Sequence, residues 1–159
     1  MKRLLILYSD YSPVIDAIKY TLQDTVEIVC EKEHLSEVSD YDLIVIVGSY
    51  NYEDTDAIKV HYSLLPAFNG EEPVKEAIIA GAKVTGITFF YTKTKKIIAQ
   101  YPIFIKNDSH YEDIEQELKY IEQTLYPIII EKILNCEQFE IKSLVSNSCC
   151  TGGCSGCRK

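Results

Sequence analysis

Three short aliphatic runs, Leu4 to Tyr8, Val26 to Cys30 and Leu43 to Val47, constrain the fold of this chain more than any other feature. Each is continuous rather than alternating, which is the pattern of a strand buried on both faces. Between the first two, Val14, Ala17, Ile18 and Leu22 recur at helical spacing. Ser12 is placed to cap that helix, and Pro13 falls in its first turn, where a missing N–H is tolerated. Strand, helix and strand in this order predict parallel pairing through a right-handed crossover. The expected fold class is α/β, a mostly parallel twisted sheet flanked by helices.

Further along, Ala57 to His61 reads as a short strand, followed by a loop through Pro66 and Gly70 and a helix from Pro73 to Ala80 closed by Gly81 at C′. Lys83 to Tyr91 and Ile97 to Ile105 are β-rich, and the basic stretch Lys93-Thr94-Lys95-Lys96 between them reads as a hairpin that gives the sheet an antiparallel edge. Asp108 or Ser109 is expected to cap a long helix through Ile114, Leu118, Ile121 and Leu125 and on to Ile129 and Ile133, with Pro127 kinking or dividing it. Phe139 to Leu144 adds a last strand. The expected organisation is an α/β domain over residues 1–145 and a Cys-rich tail over 146–159.

With 159 residues, 47% of them hydrophobic, the chain is long enough to bury about 68–70% of its unfolded surface as one domain. A formal charge of -8 argues against a nucleic acid or an anionic membrane as partner. No apolar run approaches the roughly 18 residues of a membrane span. Met1 to Leu7 runs into Asp10 without a small-residue cleavage site, so it reads as a first strand rather than an export signal. The expected location is therefore cytoplasmic, with the six cysteines as thiols.

The segment His61-Tyr62-Ser63-Leu64-Leu65-Pro66-Ala67-Phe68-Asn69-Gly70 resembles the HPSLLPAFKG signature of the formyltransferase family, the phosphoribosylglycinamide formyltransferases above all. The likeness continues through Ala77, Ala80-Gly81 and Lys83-Val84-Thr85-Gly86-Ile87-Thr88. Ile97-Ile98-Ala99-Gln100 resembles the family's strand ending in Gln, and Glu122-Gln123-Thr124-Leu125-Tyr126-Pro127 its late E-H-x-x-Y-P helix. The resemblance implies a Rossmann-like sheet and transfer of a formyl group, within purine biosynthesis, from 10-formyltetrahydrofolate to a small amine or phosphorylated substrate.

It also implies roles for particular residues. His61 matches the catalytic histidine. Lys59, two residues earlier on the same face of a strand, stands where the family has asparagine. A lysine there can place positive charge near a developing oxyanion or can simply end the strand and reach water. The family loop that carries the catalytic aspartate is shortened to Thr92-Lys93-Thr94-Lys95-Lys96, which leaves Asp56 or Glu122 as substitutes. Ser9-Asp10-Tyr11-Ser12 stands in place of the phosphate loop, and Ser9, Ser12, Gly48, Ser63 and Glu122 are the expected substrate-binding residues. The alternative reading is a catalytically degenerate binding protein whose tail carries a metal or thiol redox function.

Cys149, Cys150, Cys154 and Cys157 fall within nine residues, interleaved with glycine. Thiolates at this spacing suit zinc, copper(I) or an iron-sulfur cluster, and equally suit dithiol exchange or adventitious oxidation on an unstructured tail. Cys30 and Cys136 are expected to be packing residues.

Overall fold

The computed structural model describes residues 1–32, 38–52 and 55–137, so the expected strand at Phe139 to Leu144 and the cysteines of the tail lie outside the described residues. In chain order the elements are β1 (Lys2–Tyr8), α1 (Pro13–Leu22), β2 (Val26–Lys32), a 3-10 turn (Val38–Asp40), β3 (Leu43–Val47), β4 (Ile58–His61), α2 (Pro73–Ile79), β5 (Val84–Tyr91), β6 (Ile97–Phe104) and α3 (Tyr111–Leu134). One six-stranded sheet has the order β2-β1-β3-β4-β5-β6. The first four neighbours are parallel, and β5 and β6 are antiparallel to the strands beside them.

The runs of β1 and β3 are buried on both faces: Leu4, Leu5, Ile6 and Leu7 are each 1% exposed or less, and every residue of β3 is buried. The run at Val26 to Cys30 is not, because β2 is an edge strand of the sheet and only Val26 of it is buried. On one face Leu4, Ile6, Val45 and Phe89 pack in a single core with Val14 and Ile18 of α1 and Leu118, Ile129 and Ile130 of α3. On the other face Leu5, Leu7, Ile44 and Ile46 pack with Tyr52, Ala57, Val38, Tyr41 and Tyr50. That second cover is made largely of chain between strands, with tyrosine rings supplying the area a helix would.

Ser12 caps α1 as expected, accepting the Val14 N–H at 3.3 Å, with Pro13 inside the first turn. Gly81 ends α2 at φ +71, and the bonds Gly81 N–H to the Ile78 carbonyl and Ala82 N–H to the Ala77 carbonyl, both 3.0 Å, form a Schellman closure. The same pattern ends α3, where Cys136 holds the left-handed position at φ +57 and donates to the Ile133 carbonyl while Glu137 donates to Lys132. Cys136 is consequently exposed, not packed as the sequence suggested; Cys30 does pack against the core, half-buried.

Two further expectations about α3 are corrected. His110 is its N-cap, with its N–H donated to Asp113 at 3.3 Å, because the Ser109 hydroxyl is spent on the preceding turn, accepting the Lys106 N–H at 3.0 Å. Pro127 does not divide the helix. Its cost, ~3 kcal/mol for the missing bond and the ring's crowding, is offset by fully buried neighbours, Tyr126, Ile129 and Ile130, at about 1.5–3 kcal/mol each.

Tyr126 also repairs a weak place in the sheet. β3 and β4 share one register pair, Val45 with Ile58, before they diverge. The Tyr126 hydroxyl lies 2.9 Å from the Ile46 carbonyl and 2.8 Å from that of Ile58, so its single proton is shared across the gap. Tyr126→Phe strips both buried carbonyls of this partner and is expected to cost about 1–3 kcal/mol, read as a lower urea midpoint with unchanged slope; an unchanged midpoint would remove the staple.

Candidate active site

After β1 the chain pairs β2 on one side and then β3 on the other, and clefts in α/β sheets open at the carboxyl ends of strands beside such a reversal. A cleft of about 980 Å³ lies there. Its walls come from the residues that follow β1, from Gly48, Ser49 and Asn51 after β3, from β4 and the loop after it, and from Glu115, Lys119, Glu122 and Gln123 on α3. Gly48 turns the chain out of β3 at φ +87, with the Ser9 hydroxyl 3.4 Å from where a side chain would start.

His61 ends β4 and lines the cleft. Its Nε2 is 3.0 Å from the Phe68 carbonyl oxygen. A carbonyl only accepts, so Nε2 carries a proton, and in the neutral ring that tautomer leaves the lone pair on Nδ1. Phe68 presents that carbonyl from a left-handed backbone, φ +50, that a side chain of its size rarely takes.

The loop that achieves this is braced from beneath. Thr88 Oγ1 donates to the Ser63 carbonyl at 2.6 Å and accepts the Leu65 N–H at 3.1 Å, and the Gln100 amide donates to the Leu65 carbonyl at 2.8 Å. Thr88 and Gln100 are directly opposite on β5 and β6. Ser63, expected to bind substrate, is fully buried, donates its hydroxyl to the Ala67 carbonyl at 2.7 Å, and is not a lining residue. Its place in the motif shapes the loop rather than touching the cleft.

Lys59 lines the cleft on the same strand as His61 and donates to Asn51 Oδ1 at 2.8 Å. The hairpin after β5 is tied down by Asp56, whose carboxylate accepts the Lys93 and Thr94 N–H groups at 2.9 and 3.3 Å and the Thr94 hydroxyl at 3.0 Å. Those bonds engage both oxygens of Asp56 in the turn.

Glu122, the other candidate carboxylate, is in the cleft wall, 7% exposed, and accepts the Tyr62 hydroxyl at 2.5 Å. Burial pushes its carboxyl up, against the smaller opposing effects of the Tyr62 bond and Lys119. Burial, then the Glu122 charge, push the Tyr62 phenol far up, so Tyr62 remains a donor. A carboxyl raised by folding favours the native state below its unfolded pKa and loses that contribution as pH rises through the native value. Glu122→Gln keeps an acceptor for Tyr62 and removes the charge. Its stability relative to the native chain is expected to rise with pH across that window, by about 1.4 kcal/mol per unit of displacement; a flat difference in urea midpoints across the acid range would contradict it.

Ser12 reaches the cleft with its hydroxyl committed to the cap, and Ser9 lies behind Gly48, not in the cleft lining. Sequence reasoning missed Asn51, Tyr62 and Lys119; only their partners mark them, and those are 8, 60 and 3 or 4 residues distant. No group of three or more His, Cys, Asp or Glu side chains suited to a metal occurs among the described residues, and the four tail cysteines are outside them. No helix among the described residues is long and apolar enough to cross a membrane.

The formyl transferase family model matches residues 38–130. Phosphoribosylglycinamide formyltransferase of Bacillus subtilis is 43% identical over 81 residues, 48% of this chain and 42% of that protein. Methionyl-tRNA formyltransferase of Lysinibacillus sphaericus is 37% identical over 82 residues, 49% of this chain and 26% of that protein. The matches thus span less than half the length of these curated relatives. Among solved structures, phosphoribosylglycinamide formyltransferase from Bacillus halodurans superposes with a TM-score of 0.73 at 22% identity, over 87% of this chain and 100% of that one, and so shares the fold. With more than half of its residues matched by the family model, and with the signature loop braced beside His61, the chain belongs to the formyltransferase family.

Proposed function

We propose that this chain transfers a formyl group from 10-formyltetrahydrofolate to a small amine in the cleft at the ends of β1, β3 and β4. The observation that carries the reading is His61, at the cleft wall with one tautomer selected by the Phe68 carbonyl. The acceptor nitrogen attacks the formyl carbon, a C–N bond forms, and the carbonyl oxygen takes negative charge. The nitrogen then sheds a proton and the donor nitrogen must gain one before its own C–N bond breaks. His61, with Nδ1 as acceptor, can take that proton and return it.

Lys59, held by Asn51, is two residues away on the same strand face, roughly 6.6 Å along it. Its ammonium supplies charge for the oxyanion in place of the neutral donor the family uses. Names of the sequence relatives support an amine acceptor, and the signature loop supports the folate donor. The test is tetrahydrofolate release by purified protein given the donor and a panel of amines. Lys59→Met is expected to lower turnover by about 10²-fold with little change in KM. Donor that neither binds nor reacts would defeat the reading.

A further inference from the structure

We infer that the amine accepted in this cleft carries no phosphate. This rests on the proposal that the cleft transfers formyl, and it concerns the other half of the acceptor. A helix N-terminus facing a switch-point cleft ordinarily offers backbone N–H groups and a positive partial charge to an anion. At α1 that offer is withdrawn. Pro13 has no N–H, the Val14 N–H is taken by the Ser12 hydroxyl at 3.3 Å, and the Ile15 N–H by the Ser12 carbonyl at 2.9 Å. Asp16 lies in the first turn and its carboxylate accepts the hydroxyl of Tyr11, so the charge that a phosphate would bring to the helix is already supplied from within the chain.

The rest of the cleft does not compensate. Among the described residues no arginine lines it. Its two lysines are engaged, Lys59 with Asn51 at 2.8 Å and Lys119 with Glu115 at 3.7 Å, and three carboxylates, Glu71, Glu115 and Glu122, share the walls with them. A dianion would enter a site whose described lysines already have partners, whose walls carry Glu71 and Glu115, and whose first-turn amides from Val14 and Ile15 are spent. A neutral or cationic amine meets no such penalty.

The experiment compares phosphoribosylglycinamide with the same compound lacking its phosphate, both given with 10-formyltetrahydrofolate, and separately titrates inorganic phosphate by calorimetry. Expected are a kcat/KM at least about tenfold higher for the phosphate-free acceptor and no phosphate binding at millimolar concentration. Tyr11→Gly combined with Asp16→Asn, both exposed positions, is expected to create measurable phosphate binding. A higher kcat/KM for the phosphorylated acceptor, or submillimolar phosphate binding to the native chain, overturns the inference. If neither acceptor reacts although the donor binds, formyl transfer to this class of amine fails, and calorimetry still decides whether phosphate is excluded.

Discussion

His61→Ala is expected to lower formyl transfer by about 10²- to 10⁴-fold while the protein remains folded. The side chain is half-buried, and its bond to Phe68 holds a carbonyl that is itself half-buried and can turn to water. Losing that bond costs about 0.5–1.5 kcal/mol. The loop does not depend on it, because Ser63, Thr88 and Gln100 fix the stretch from residue 63 to 67 independently. Rate loss and stability loss are therefore separable at this position. His61→Gln sharpens the distinction: an amide can still donate to the Phe68 carbonyl but cannot carry a proton between nitrogens, so it should restore stability and not rate. An alanine variant that transfers formyl within about threefold of the native rate would remove His61 from the chemistry.

Much of the architecture is legible because it rests on short-range pattern. The continuous runs at Leu4 and Leu43 form central strands, whereas the run at Val26 forms the edge strand β2, a difference that an aliphatic run alone does not show; Ser12-Pro13 begins a helix. Gly81 announced its left-handed turn. Cys136 did not, since nothing in its sequence context distinguishes a thiol at a helix terminus from one in a core. Pro127 misleads for the opposite reason: its local penalty is visible, whereas the sheet contacts of Tyr126, Ile129 and Ile130 that outweigh it are not.

The site divides in the same way. The motif around His61 marks a loop that lines the cleft, yet a motif does not say which of its members face it. Ser63 turns inward to brace Ala67, and Tyr62 turns to Glu122 on a helix 60 residues away. The Lys59–Asn51 pair arises because β3 and β4 diverge at their carboxyl ends, a property of pairing register rather than of either segment. The bonds of Asp56 to Lys93 and Thr94, 37 and 38 residues away, likewise follow from the pairing of β4 with β5 and are not marked in either segment.

Gly86→Ala is expected to destabilise the fold by about 3 kcal/mol or more, at the upper end of overpacking effects. A glycine inside a strand usually marks a place where something approaches the backbone, and here the approach is extreme. A Cβ at Gly86 would fall 2.3 Å from the Tyr101 carbonyl oxygen, 2.6 Å from Leu64 Cδ2 and 3.0 Å from Pro102 Cα. Two of the three are backbone of β6, hydrogen-bonded along its length to β5, so they cannot swing aside. Relief requires opening the β5–β6 ladder or lifting Leu64. Either movement strains the anchors of the signature loop, since Thr88 and Gln100 lie two residues along each strand on the same face. Leu64→Ala should rescue Gly86→Ala only in part, because it removes the side-chain clash and leaves the backbone ones. Urea midpoints of the two single variants and the double variant measure that coupling. A Gly86→Ala protein within about 1 kcal/mol of the native chain would mean that the loop is not seated against β5 and β6 as described, and the placement of the Phe68 carbonyl on His61 would lose its support with it.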